Sequence, residues 1–282
     1  MLTTALKTVA LTFLLFSTAA QRAKECPSCA EWNTPQQPYR VFGNTYWVGP
    51  HGLGAILITS QQGHILIDGG LPESAPLIEA SIRGLGFRVE DIKLILNSHA
   101  HYDHAGGIAA LQRDSDAEVA ASAWSARVLE RGESQKGDPQ LAIALRFPRA
   151  RNVRVIKDGE VLHVGPLAVT AHFTPGHTPG GTTWTWRSCE GDRCLDIVYA
   201  DSQTPVSADG FSFAPIANEF EHSESVIEQL PCDILLTPHP GASNLWERRA
   251  AGSFIDRDAC RRFAAEAREQ IAKRLATERQ SK

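Results

Sequence analysis

Residues 97–107 read Asn97-Ser98-His99-Ala100-His101-Tyr102-Asp103-His104-Ala105-Gly106-Gly107 and follow directly on the apolar run Ile92-Lys93-Leu94-Ile95-Leu96. An apolar strand that ends in three imidazoles and a carboxylate within six positions points to metal chemistry, at the place where layered α/β sheets hold their ligands. The H-x-H-x-D-H spacing supplies more donors than one hydrolytic ion takes, because catalytic zinc keeps a position open for water. Two further histidines stand on rigid turns after apolar strands. His177 lies in Thr174-Pro175-Gly176-His177-Thr178-Pro179-Gly180-Gly181 after a strand at 168–173, and His239 in Thr237-Pro238-His239-Pro240 after a strand at 233–236. Prolines fix the backbone there and glycines permit close approach, as a preset ligand requires. Five histidines and Asp103 divide into two sets of three, and hydrolysis by metal-activated water is the reaction they imply.

Outward from this centre, alternating apolar positions predict strands at 40–42, 45–48, 55–58 and 64–67, an antiparallel entry to a sheet. Helical spacing at 74–85, a strand at 94–96, a helix from 107 to about 112, a strand at 118–121 and a helix at 123–131 follow. The stretch 132–151, with Gly137, Pro139 and Pro148, reads as a loop or broken helix that borders the site. Strands return at 153–156, 161–164, 168–173, 182–186 and 196–199. A helix at 223–230, a buried strand at 233–236 and an amphipathic helix at 258–278 close the chain. Strands first and helices after, twice over, give an α/β class and one domain, residues 21–282, built from two similar halves.

With 282 residues, 43% hydrophobic and 21% charged, the chain can bury a sizeable core. Residues 1–20 carry the single cation Lys7, an apolar block at 9–16 and then Ser17-Thr18-Ala19-Ala20, the pattern of a cleaved signal peptide. The block is too short to span a membrane, so a periplasmic or secreted protein is expected. Losing Lys7 with that segment makes the formal charge of −4 one unit more negative, which argues against nucleic acid and anionic membranes as partners. Export also makes the six cysteines disulfide candidates. Cys189 and Cys194 flank Glu190-Gly191-Asp192-Arg193 and would bridge within a hairpin, while Cys232 with Cys260 would close a longer loop. Chain entropy favours the longer loop, at about 3.5 kcal/mol against about 2 kcal/mol. Cys26 and Cys29 form a C-x-x-C that reads as a bridged or free pair in a mobile N-terminal tail. His51, His64, His163, His172 and His222 lack a second donor at metal spacing, and Trp184 and Trp186 read as packing residues of a strand.

The H-x-H-x-D-H run, the Pro-Gly-His-Thr-Pro-Gly-Gly turn at 175–181 and the Thr-Pro-His-Pro turn at 237–240 resemble the signature of the metallo-β-lactamase superfamily. The resemblance covers nearly all of the chain after residue 20. It implies a four-layer αβ/βα sandwich with the site on one edge and two Zn2+ per chain, the first held by His99, His101 and His177 and the second by Asp103, His104 and His239. The superfamily contains β-lactamases, glyoxalase-II-like thioesterases, lactonases and nucleases, so the substrate turns on finer features. Tyr199-Ala200-Asp201-Ser202 carries no zinc-binding cysteine and, with the two later cysteine pairs, looks like subclass B3. The resemblance then implies an exported β-lactamase that opens penicillins, cephalosporins and carbapenems by a zinc-bound hydroxide and confers antibiotic resistance. Asp103 would be ligand and catalytic residue at once, Ser202 and Thr204 would bind the substrate carboxylate, and Gln140 would touch the substrate from the rim. A thioesterase or lactonase on the same dinuclear site stands as the alternative, because thioesterase-like members place a metal-bridging aspartate where Asp201 aligns. A non-catalytic metal protein is a third reading. The partner is a small molecule, and a monomer is favoured.

Overall fold

A computed structural model of the chain describes residues 26–280; the signal peptide read at 1–20 lies outside them. A one-turn helix α1 (Cys29–Trp32) precedes a seven-stranded sheet. Its strands β1 (Tyr39–Phe42), β2 (Thr45–Trp47), β3 (Ile56–Ile58) and β4 (His64–Ile67) form an antiparallel meander. Strands β5 (Ile92–Leu96), β6 (Glu118–Ser122) and β7 (Arg154–Ile156) then add in parallel. Parallel neighbours need crossovers. These are α2 (Ala75–Gly84) before β5, α3 (Tyr102–Ala105) with α4 (Ile108–Ser115) before β6, and α5 (Ala123–Arg131) before β7. The second sheet is the antiparallel run β8 (Val161–Val164), β9 (Leu167–Phe173), β10 (Thr182–Glu190) and β11 (Arg193–Tyr199). Helix α6 (Ala217–Gln229) then delivers β12 (Ile234–Leu236) parallel to β11, and α7 (Leu245–Ala250) and α8 (Ala259–Gln280) finish the chain.

The central strands read as continuous apolar runs because both of their faces are covered. Ile65, Ile67, Leu94 and Leu96 pack with Val169, Trp184, Trp186, Ile197 and Leu236 between the sheets. Leu66 and Ile95 face outward onto Ile78, Ile82, Leu111 and Leu129 of the flanking helices. On the far side Val198 and Leu235 meet Ile227 of α6 and Cys260 and Phe263 of α8. Each such side chain removed from water is worth about 1.5–3 kcal/mol. Helix, sheet, sheet, helix is the four-layer sandwich that was expected.

Several boundaries move. The strand expected at 182–186 continues to Glu190, because the β10–β11 ladder runs on to the Cys189–Cys194 pair, which is bridged. The helix expected at 223–230 begins at Ala217, where buried Phe220 anchors a first turn that looks polar in sequence. Within the histidine run the chain makes the helical turn α3, starting after His101, and neither it nor α7 was anticipated. The stretch 132–151 holds turns and bends only, and Cys232–Cys260 is bridged as read. The mobile tail is corrected. Cys26 and Cys29 are bridged, and the segment is pinned by Gly52 N–H donating to the Trp32 carbonyl (3.0 Å) and by the Ser74 hydroxyl donating to Asn33 Oδ1 (2.7 Å).

Glu224 of α6 is buried, and its Oε1 has no hydrogen-bond partner among the described residues. Arg268 Nε of α8 lies 3.6 Å from its other oxygen. Burial pushes this carboxyl up to about 7 against the pull of Arg268. A raised folded-state value means that protonation favours the fold, fully below the ordinary value of 4.5 and no longer once pH has risen through about 7. Glu224→Gln therefore flattens the fall of Tm between pH 5.5 and pH 8.5. Thermal melts of the two proteins check this, and equal pH slopes would refute it.

Candidate metal centre

The chain must reverse where β5 ends, and a buried carboxylate fixes how it does so. Asp68, closing β4 with φ of +62°, accepts hydrogen bonds from Ser98 N–H (2.7 Å), the Ser98 hydroxyl (2.6 Å), the Asn97 amide (3.0 Å) and the Tyr199 hydroxyl (2.9 Å). Aspartate tolerates that left-handed backbone better than most residues. With the loop so anchored, His99 and His101 project from the strand end, and Asp103 and His104 ride on α3. His177 comes from the turn between β9 and β10 and His239 from the turn after β12. All six meet at one edge of the sandwich.

Three imidazoles are aimed from behind. His99 Nδ1 donates to Asp201 Oδ1 at 2.7 Å, leaving a buried Nε2 without a partner among the described residues. His101 Nε2 lies 3.1 Å from Asp138 Oδ2, which leaves Nδ1 facing inward. His177 Nδ1 donates to the Thr204 carbonyl at 2.8 Å. The remaining donor atoms of this set lie within 4.8 Å of one another. Burial, reinforced by neighbouring imidazoles, holds His99 well below its ordinary range and His177 down to about 3, so both are neutral, as a metal ligand must be.

The second set is tighter. Asp103 Oδ2, His104 Nε2 and His239 Nε2 stand 3.2 Å apart on all three sides. Donors at zinc distance in a tetrahedron are separated by about 3.3 Å. Burial alone would raise the Asp103 carboxyl, but His104 and His239 overcome it and keep the group well below the usual carboxylate range. His99 is also within 4.8 Å of Asp103 and His104, so the two sets adjoin. Asp68, Asp103, Asp138 and Asp201 are buried or largely so, and none of them has a lysine or arginine partner among the described residues. Burial pushes the Asp68 carboxyl up and the Asp201 carboxyl well above the usual carboxylate range, a cost that a cation bound beside them would offset. The residues present fit metal, and zinc in particular.

The weaker sequence candidates are placed unevenly. Gln140 Nε2 is 3.4 Å from His177 Nε2 and lines a cleft of about 270 Å³, together with Trp32, Tyr102, Asp103 and Ile143. Thr204 turns both its carbonyl and its hydroxyl (3.2 Å) toward His177 Nδ1. Ser202 is half-buried beside Asp201 and outside the lining of that cleft. Sequence reading missed Asp68, Asp138 and Trp32. Asp68 before Gly69-Gly70 and Asp138 between Gly137 and Pro139 both look like turn residues, and a lone tryptophan after a C-x-x-C carries no pattern.

The chain belongs to the metallo-β-lactamase superfamily, whose family model, described as Metallo-beta-lactamase superfamily, matches residues 49–251. Among solved structures it is similar to the Rm3 metallo-beta-lactamase, at 52% identity and a TM-score of 0.88 over 90% of this chain and 99% of that one. It is also similar to MEM-A1, a subclass B3 metallo-beta-lactamase isolated from a soil metagenome library, at 49% identity and a TM-score of 0.87 over 89% and 100%. An N-acyl homoserine lactonase of Bacillus cereus is 28% identical over 148 residues, 44% of this chain and 54% of that protein. The chain spans about half the length, or less, of the curated relatives it matches.

The hydrogen bonds behind His99 and His101 carry a prediction. Asp201→Asn or Asp138→Asn should weaken zinc binding by about 10–100-fold, measured by chelator competition, while the zinc-free protein melts as before. Unchanged affinity in both variants would contradict the aiming role.

Proposed function

We propose that the chain is an exported zinc β-lactamase that hydrolyses the β-lactam amide of penicillins, cephalosporins and carbapenems and thereby confers antibiotic resistance. In this reading His99, His101 and His177 hold one zinc, and Asp103, His104 and His239 hold the other. Zinc so held supplies Lewis acidity, drawing electron density from a carbonyl oxygen and making water acidic enough to act near neutral pH. Asp103 would serve at once as a ligand and as the acceptor that orients the attacking water. The Asp201, Asp138 and Thr204 partners fix which nitrogen each imidazole presents, so the donor set is assembled before substrate arrives. Gln140 donates its amide to the substrate from the cleft wall, and Ser202 and Thr204 receive the substrate carboxylate.

The observation that carries the choice of substrate is the direction of Asp201. Its Oδ1 is turned onto His99 Nδ1, on the opposite side of that ring from the unpartnered Nε2, and its Oδ2 is buried without a partner among the described residues. A bridging carboxylate, the mark of the thioesterase alternative, would have to point the other way. Three cross-links among the described cysteines suit an oxidising compartment and support export. No helix among the described residues is long and apolar enough to cross a membrane.

Steady-state rates of the zinc-loaded protein on a carbapenem, a cephalosporin, S-lactoylglutathione and a homoserine lactone test this reading. The β-lactams should turn over fastest. A thioester or lactone rate above both β-lactam rates would overturn it, as would β-lactam turnover no faster than zinc in buffer. His177→Ala should lose nearly all activity and about one zinc per chain, read by metal analysis.

A further inference from the structure

The imidazoles of the site are not held alike. His99, His101 and His177 each have a hydrogen bond on the outer nitrogen, and His104 is completely buried. His239 has neither. Its side chain is 34% exposed, and its Nδ1 makes no hydrogen bond to any described residue. What covers its outer face is the Trp32 indole, with ring centroids 5.0 Å apart and planes at 52°.

Trp32 is itself firmly placed. The Cys26–Cys29 disulfide closes the turn in front of it, Trp32 N–H donates to the Ser28 carbonyl at 2.9 Å, and Gly52 N–H donates to the Trp32 carbonyl at 3.0 Å. Residue 52 has to be glycine, because a Cβ there would stand 2.6 Å from Trp32 Cα. The same loop also grips the turn that carries His239, through Gly54 N–H donating to the Pro238 carbonyl at 2.7 Å. Indole and imidazole are therefore fixed against one frame.

We propose that Trp32, pinned by the Cys26–Cys29 disulfide, is the positioning residue for His239, and does by ring packing what a hydrogen bond on the outer nitrogen does for the buried His99, His101 and His177. The proposal rests on the ligand assignment made above. It makes the N-terminal segment part of the second metal site, although it contributes no donor atom. Loss of the indole frees the His239 ring to rotate, and binding at that site then costs the entropy of holding it.

Zinc titration of the purified full chain against a chromogenic chelator tests this, with the cobalt(II) absorption spectrum and the Tm of the metal-free protein read alongside. His239→Ala should lose tight binding of one zinc. Trp32→Ala should weaken that same zinc about 10-fold or more, with the other zinc and the metal-free Tm unchanged. Trp32→Phe should restore most of the loss, and the double variant Cys26→Ser/Cys29→Ser should show a smaller loss at the same site. The cobalt band altered in Trp32→Ala should be the one that His239→Ala abolishes. Wild-type binding of both zincs by Trp32→Ala, when His239→Ala has lost one, would overturn the proposal. Equal weakening of both sites with a lowered metal-free Tm would overturn it too, by making the segment general support. Retention of both zincs by His239→Ala would show instead that the ligand assignment has failed, and the proposal with it.

Discussion

The Asp68 carboxylate gathers three strand ends into one point. It closes β4, takes its hydrogen bonds from the loop that leaves β5, and takes another from Tyr199 at the end of β11 in the opposite sheet. A fully buried carboxylate is costly unless its lone pairs are filled, and here four donors fill them. The filling also dictates geometry. Ser98 gives both backbone and side chain to Asp68, so the residue immediately before His99 has no freedom left, and the donors that follow inherit that precision. Tyr199 does the same for the second sheet, since Asp201 lies two residues beyond it and reaches back to His99.

The layering was legible because its cause is local. Runs such as 64–67 and 92–96 are apolar on consecutive positions, which only a strand covered on both faces demands, and the turns that punctuate them are rich in glycine and proline. The six donors were legible for the same reason, since they sit on those turns in tight spacing. What escaped is what depends on distant partners. Asp138 lies 37 residues from His101 and meets it only because the irregular stretch 132–151 folds over the site edge. Trp32 reaches His239 across most of the chain. The start of α6 at Ala217 was hidden because Phe220 is an isolated apolar residue whose burial is decided by α8 and the loops around it.

The placement of Asp201 bears on two chemistries that the sequence leaves open. The same aspartate after a strand can be a ligand between two cations or a brace behind an imidazole, and nothing in the local residues distinguishes them. The turn at Gly181 passes so close that a Cβ there would stand 2.4 Å from Asp201 Oδ2, so any larger residue would push the carboxylate from its place. A residue without a side chain at 181 is therefore part of how the carboxylate is aimed.

The donor atoms are drawn unequally from the two halves of the sandwich: His99, His101, Asp103 and His104 come from the first, His177 and His239 from the second. In the proposed assignment each set takes one histidine from the second half. Metal bound across the seam in the proposed way would act as a clasp between the sheets, its binding free energy adding to the cohesion of the whole fold by mass action. A chain deprived of that metal would then be short of part of its own cohesion, and its survival against proteolysis would be coupled to metal supply before any substrate is met.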